Sequence, residues 1–465
     1  MVLPRRHHGR PRRRQGYIVG AAAVCVLLYF FYFRRPLDAP SHLFPTDASP
    51  EIVFPEVDLY SGNPPLWRDP ERDFDAEYQE VLRAVPALRS TKPARIAFLV
   101  MAHGPSDVKM LQRSLPWLYS PNCHILVHLD RKTSEKDRAV IRDLIGGLDN
   151  VRLLEPPLSV SWGGFTITLT AIYGISALLE WSRDWEYFIN ISASDFPLLT
   201  AVEMSAVLGT FVEKRVNFVT GSPMKEQNRA ELYVDDQGLY RANQTRKAGQ
   251  PFVHEDRTVV KRPLPTLFTI FKGEFWVALH RDFCEYVHES PDNVARSLQA
   301  YFAKFRISDE SFFQTTLCHP NAPNIFPVYR DNLRLINWPD FDPETEWVLH
   351  PDPVQPKHVA KLMSSGALFA RKFEYGTSDQ AWSNIQGILS SKGSLMADRI
   401  GRVLERGRGA QSVRGREGFC AVPEGYNLAY MLSHQRPKRE KKAIPPHHVR
   451  SRQRMLMERK KKMKA

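Results

Sequence analysis

From Ala94 onward the chain repeats one unit: a short apolar run, a turn, then apolar residues at helical spacing. Ile96-Ala97-Phe98-Leu99-Val100-Met101 is apolar without interruption, which suits a strand covered on both faces. Val108, Leu111, Leu115 and Leu118 then recur three or four apart, as on one face of a helix. His124-Ile125-Leu126-Val127-His128 is a second strand. Ser134 opens a helix with Asp137 three residues on and Val140, Ile141 and Leu144 along one face. Val151 to Leu154 predicts a third strand, Phe165 to Trp181 a long helix, and Trp185 to Ile191 a fourth strand. Thr200 and Glu203 form a reciprocal capping box for the next helix. Alternation at this spacing predicts an α/β fold, a mixed but mainly parallel Rossmann-like sheet flanked by helices. Ligands of such sheets lie outside the carboxyl ends of the strands, where His103, Asp130 and Asp195 fall.

The net charge of +13 invites a nucleic-acid partner, and its distribution argues against one. Residues 1–16 carry six arginines and no acid; residues 436–465 carry thirteen Lys/Arg against Glu440 and Glu458. The tails thus hold +6 and +11, which leaves −4 for everything between. Tyr17 to Phe33 is an uncharged, apolar run of 17 residues bounded by Arg14 and Arg34-Arg35, at the short end for a membrane span. A cleaved signal peptide is the alternative, but Tyr29-Phe30-Phe31-Tyr32-Phe33 is bulky where a small-residue cleavage site belongs. The arginines before the run favour a cytosolic N-terminus, and a short span suits the thinner membranes of the early secretory pathway. The expected organisation is a cytosolic basic tail (1–16), a signal anchor (17–33), a stem (34–92), a folded domain (93–400) and a basic, disordered tail (401–465). The stem is rich in Pro and acids, with one short helix from near Phe74 to Val85 stopped by Pro86. The five cysteines form no close pairs, so neither a zinc site nor a disulfide framework is indicated; Cys284 and Cys318 are left free to pair. Asn243-Gln244-Thr245 is a glycosylation sequon in a polar stretch, whereas Asn190-Ile191-Ser192 ends an apolar strand and is expected to be buried.

Two segments carry the chemistry. Ile307-Ser308-Asp309-Glu310 precedes a helical run through Phe312, Phe313, Thr316 and Leu317, with Ser308 as the expected N-cap. The positive end of that helix would favour an ionised Glu310, as a base requires; the acids could equally serve only to stabilise the helix start. Leu368-Phe369-Ala370-Arg371-Lys372-Phe373 sets two adjacent cations between apolar residues. Arg offers a fork of donors matched to phosphate and Lys a point charge, although the pair also reads as a surface ion-pair patch. Trp162-Gly163-Gly164 would let backbone amides approach a ligand just before a helix. Asp73-Phe74-Asp75 and Asp340-Phe341-Asp342 have Asp-x-Asp metal spacing, but one lies in the stem and the other in a Pro-rich loop, so no metal is expected. A base with a doubly cationic clamp fits sugar transfer from a nucleotide donor without a metal.

In order, these segments and the Ser192-Ala193-Ser194-Asp195-Phe196-Pro197 turn resemble the core-2/I-branching and protein-xylosyltransferase family over about residues 94–375. The resemblance implies a GT-A fold and inverting, metal-independent transfer from a UDP-sugar to a glycoprotein or glycan acceptor. It implies no cofactor, no nucleic-acid partner, and a single-pass type II protein of the Golgi or ER membrane with a lumenal catalytic domain. It puts Glu310 at the catalytic base and Arg371-Lys372 at the diphosphate. Met101, Asp130, Val160, Ser161 and Trp162 match donor-contacting places, with Trp276 and His350 beside them, and Asp195 and Phe275 stand at an acceptor or structural site. The irregular stretch from about 215 to 345 is expected to shape the acceptor cleft. Two departures bear on the donor. Phe275 replaces the acidic residue that xylosyltransferases keep before the tryptophan, and His350-Pro351 replaces their Ser-Pro turn. Gly238-Leu239-Tyr240, the strand around Trp276, Asn332 to Trp338 and Ser365 to Lys372 resemble plant members that transfer glucuronic acid. The donor stays open among glucuronic acid, xylose and N-acetylglucosamine. The alternative function is a non-catalytic lumenal glycan-binding or scaffold protein that kept the fold.

Overall fold

The computed structural model describes residues 72–224, 230–231, 233–240, 253–256, 264–339, 351–412 and 418–422. Helix α1 (Phe74–Ala84) starts at Asp73, whose carboxylate accepts from the Ala76 N–H at 2.9 Å. That capping role is what the first Asp-x-Asp triplet does here; the second, at 340–342, lies outside the described residues. Strand β1 (Ile96–Ala102) sends Ile96, Phe98 and Val100 into one core and Ala97 and Leu99 into the other. Burial on both sides explains why the run has no polar residue.

Parallel pairing extends the sheet from β1 through β2 (Cys123–Leu129) and β3 (Val151–Leu153) on one side and β4 (Tyr187–Ser192) on the other. The connections are α2 (Gly104–Leu118), α3 (Glu135–Ile145) and α4 (Phe165–Trp181). Ser134 caps α3 as expected, accepting from the Asp137 N–H at 3.1 Å. Trp185 precedes β4 rather than opening it, with its indole N–H donating to the Leu178 carbonyl at the end of α4.

After β5 (Phe196–Pro197), α5 (Ala201–Val212) begins with the complete Thr200–Glu203 capping box. Strands β6 (Asn217–Phe218), β7 (Ser222–Pro223), β8 (Tyr233–Asp236), β9 (Val253–Asp256), β10 (Phe271–Lys272) and β11 (Ala278–His280) follow. Then come α6 (Arg281–Glu289), α7 (Val294–Phe302), α8 (Phe312–Cys318), β12 (Val328–Tyr329) and β13 (Arg334–Ile336). The chain continues through α9 (Val359–Met363), β14 (Phe369–Arg371), α10 (Asp379–Leu389) and α11 (Ser394–Gly407). The central seven-stranded sheet has the order β12-β6-β11-β4-β1-β2-β3, and only β11 runs against its neighbours. A three-stranded sheet, β13-β14-β5, stands beside it, and β5 is only four residues from the end of β4. One core packs α1, α2, α3, α5 and the C-terminal helices on one face of the large sheet; α4, α6, α7 and α8 pack on the other.

Two expectations are corrected and one pairing left open is resolved. Order does not stop near residue 400: α11 runs to Gly407, and Phe419 is buried against Phe271. Cys318 is bonded to Cys420, not to Cys284, which is buried and free. The Gly273 to Val277 stretch is a link between β10 and β11 rather than a strand. Asn190 is buried as expected: its amide donates to the Phe275 carbonyl at 3.0 Å and accepts from the Val277 N–H at 2.8 Å. Asn243 and the apolar run 17–33 lie outside the described residues, among which no helix is long and apolar enough to cross a membrane.

Helix α11 is keyed to α5 by Arg399, which donates to Glu203 at 2.6 Å with both side chains sealed from water. Burial pushes the Glu203 carboxyl up, and the Arg399 charge opposes that shift. Arg399→Met strands that carboxylate, so a stability loss of about 3–5 kcal/mol is expected from urea unfolding at neutral pH. A loss under about 1 kcal/mol would show that α11 contributes little to the fold.

Candidate functional site

The carboxyl ends of β1, β2 and β4 meet at one edge. Met101, half-buried, pairs with His128 and Ser192, and the Asp130 and Ala193 amides donate to the Ala102 and Met101 carbonyls at 2.9 Å. Asp130 is buried and fully engaged. It accepts from the Lys132 amide and ammonium at 2.8 Å and from the Val160 N–H at 3.0 Å. Lys132 also donates to the Val160 carbonyl at 2.8 Å, so one carboxylate and one ammonium fix both polar groups of that peptide residue. Nothing in the pattern of the sequence pointed to Lys132. His103, its ring exposed beyond β1, has its pKa raised chiefly by the hydrogen bond that its Nδ1 donates to the Asp107 carboxylate at 2.9 Å, with partial desolvation acting the other way.

The Trp162-Gly163-Gly164 turn leads from this edge into α4. Gly163 has φ +77°, and a Cβ on Gly164 would lie 2.2 Å from the Asp236 carboxylate, which accepts from the Thr166 N–H at 2.7 Å. Both glycines are therefore required by geometry. The turn keeps Ser161 buried, its N–H on the Thr166 hydroxyl, and leaves Trp162 57% exposed.

The Glu310 segment is fastened to that turn. The Ile307 N–H donates to the Gly163 carbonyl at 2.8 Å, and the Ser308 and Thr168 hydroxyls bond at 2.8 Å. Ser308 is thus not the N-cap expected of it: Ile307 takes a left-handed φ of 54°, Ser308–Glu310 forms a single 3-10 turn, and α8 begins at Phe312. Glu310 lies just before the helix rather than in its first turn. Its carbonyl accepts from the Gly273 N–H at 2.8 Å, and its carboxylate, one-third exposed, is 3.9 Å from the Lys272 ammonium.

Arg371 ends β14 and Lys372 follows, pairing with Glu374 at 2.8 Å. The Arg371 guanidinium lies 4.5 Å from the Trp276 ring, and its Nε is buried with no partner among the described residues. Arg334, which the sequence did not single out, is packed on the same ring at 5.1 Å. It pairs with Asp195 at 3.2 Å where neither side chain is more than 1% exposed. Asp195 also accepts from the Ser192 N–H and hydroxyl at 2.7 Å, so it closes a turn and neutralises Arg334 rather than facing solvent. Phe275 is likewise buried, its ring 5.0 Å from that of Trp276. His350 lies outside the described residues. Apart from His350, the expected residues stand on connected turns: Asp130 to Val160, Gly163 to Ile307, and Trp276 to Arg371.

The sequence model of the Core-2/I-Branching enzyme family matches residues 96–363, more than half of the chain and nearly every turn just described. The chain belongs to that family. Its curated relatives include beta-glucuronosyltransferase GlcAT14B of Arabidopsis thaliana, 32% identical over 60% of this chain and 63% of that protein. Xylosyltransferase 1 of Rattus norvegicus is 26% identical over 61% of this chain and 34% of its own length. The chain therefore spans less than two thirds of either relative. Mouse xyloside xylosyltransferase 1 matches in structure over 50% of this chain and 84% of its own at 12% identity, with a TM-score of 0.26 too low to carry weight.

His128 sits behind Asp130, and burial pulls its pKa down to about 4; the neutral ring accepts from the Leu158 N–H at 3.2 Å. An unfolded chain takes up this proton near pH 6.5. The stability His128 protects is therefore intact above that pH and falls as pH drops towards 4, by roughly 3 kcal/mol across the window. Urea unfolding at pH 7 and pH 4.5 should show His128→Gln losing less stability on acidification than wild type; an equal loss in both proteins would contradict the assignment.

Proposed function

We propose that this protein is an inverting GT-A glycosyltransferase that moves a sugar from a UDP-sugar to a hydroxyl of a glycan or glycoprotein. The observation that carries the reading is the bond from Ile307 to Gly163. It ties the turn bearing the one-third exposed Glu310 carboxylate directly to the Trp-Gly-Gly turn, which the family resemblance assigns to the donor. Met101, Asp130 and Val160 to Trp162 line the nucleotide side in this reading, and Arg371 and Lys372 face the diphosphate. Glu310 takes the proton of the acceptor hydroxyl as its oxygen bonds to the anomeric carbon. The carbon–oxygen bond to the β-phosphate breaks with its electron pair on UDP, and the two cations hold that charge. No metal enters the scheme. Glucuronic acid is the first donor to test, because a plant glucuronosyltransferase is the more similar of the two relatives. A type II arrangement with the catalytic domain in the Golgi or ER lumen is part of the proposal. The Cys318–Cys420 bond fits an oxidising compartment.

The test is UDP release by the full chain with UDP-glucuronic acid, UDP-xylose and UDP-N-acetylglucosamine in parallel. One donor should give release, and Glu310→Gln should cut it by about 100-fold or more while UDP binding persists. A Glu310→Gln variant keeping more than a tenth of the activity would remove Glu310 from the role of base. UDP binding without release from any donor, acceptors supplied, would favour the non-catalytic reading. Saturating EDTA should leave the rate unchanged, whereas loss restored by manganese would mean that a metal shares the diphosphate.

A further inference from the structure

Arg334 is the most thoroughly enclosed cation of the site and the proposed mechanism gives it no task. Its side chain is 1% exposed, so no ligand reaches it. One guanidinium nitrogen donates to Asp195 at 3.2 Å and the other terminal one to the Asn190 carbonyl at 3.1 Å. The guanidinium carbon lies near two rings, 5.3 Å from the centre of Phe369 of β14 and 5.1 Å from that of Trp276. Trp276 is also the ring against which Arg371 lies, at 4.5 Å. The strand carrying Arg334 pairs with the strand carrying Arg371, Ile336 opposite Arg371 itself. Arg334 therefore meets Arg371 by two routes, through a shared indole and through the backbone ladder.

We propose that Arg334 is a positioning residue, and that by fixing the Trp276 ring it sets the Arg371 guanidinium for the diphosphate of a nucleotide donor. The inference rests on the donor reading above. A lysine could neutralise Asp195 but could not supply the two-pronged hydrogen bonds to Asp195 and Asn190 together with a delocalised cation beside both rings. Among the described residues Arg371 lies on one ring, that of Trp276, and its buried Nε has no partner, so what orients that ring bears directly on the guanidinium. The Arg334 charge is spent on Asp195; what it transmits is geometry. Burial pulls its pKa below the usual arginine value, Asp195 acts against that pull, and the nearby Arg371 charge adds to it, which is the electrostatic mark of two guanidiniums held close.

The experiment is calorimetric titration of UDP into the full chain for wild type, Arg334→Lys, Arg371→Met and the double variant, with folding checked by near-UV circular dichroism. Arg334→Lys keeps Asp195 paired and so guards against simple unfolding. It should weaken UDP binding by about tenfold and raise the donor KM, with the acceptor KM unmoved. In the Arg371→Met background the same change should cost less than about twofold, because its effect runs through Arg371. Equal losses in both backgrounds, or wild-type UDP affinity in Arg334→Lys, would overturn the positioning role. A wild-type chain that binds no UDP would instead bring down the donor reading, and this inference with it.

Discussion

Two charges shut away from water join the seven-stranded sheet of this molecule to the three-stranded one. Desolvating a carboxylate and a guanidinium costs several kcal/mol each, and their attraction offsets that only when the leftover hydrogen-bonding capacity is filled. For Asp195 it is filled by the Ser192 amide and hydroxyl; Arg334 gives one further bond, to the Asn190 carbonyl, while its Nε has no partner among the described residues and rests between two rings. Asp195 sits between β4 and β5, and Arg334 opens β13. The pair therefore joins the large sheet, whose edge bears Met101 and Asp130, to the small one that ends in Arg371. Phe373 reinforces the joint, its N–H on the Ser194 carbonyl and its ring against Phe196.

The rest of the site is built from turns, and each turn is fastened to the next by main-chain or sealed polar bonds. Asp130 grips Val160, Asp236 grips the first turn of α4, Gly163 receives Ile307, and Glu310 receives Gly273. Preorganisation of this kind matters because charge stabilisation falls off steeply when its donors must rearrange during reaction. Exposure is confined to a few side chains, Trp162 and the Glu310 carboxylate among them, while their backbones are held.

What could be read from the sequence was local. The helix from Phe165 to Trp181, the Ser134 cap and the Thr200–Glu203 box depend on residues within one or two turns of each other, and all stand as read. Ser308 was misread because the rule that a serine before an apolar run caps a helix knows nothing of the Thr168 hydroxyl 140 residues away, which claims its side chain. Cys420 lay 102 residues from its partner, with a polar stretch between that masked the packing of Phe419. Arg334 had no local signature at all. Its meaning lies in Asp195, Trp276 and Asn190, which only the fold brings to it. Lys132 was hidden likewise, one more cation in a polar turn until the fold set Val160 beside it.

Asn190 illustrates a conflict between two fates of one side chain. Its amide bridges β4 to the link before β11, donating a hydrogen bond to the Phe275 carbonyl and accepting one from the Val277 N–H, and the Ser192 of the same triplet is occupied by Asp195. An oligosaccharide on that nitrogen has no room in a fully buried position, and the bonds that hold the link before β11 against β4 would be disrupted. In any compartment where Asn-x-Ser triplets receive glycans during synthesis, modification at Asn190 and arrival at this structure are mutually exclusive outcomes for a given molecule. A molecule carrying sugar at this asparagine cannot hold Phe275 and Val277 as described, so the burial of this side chain has to come before any such modification.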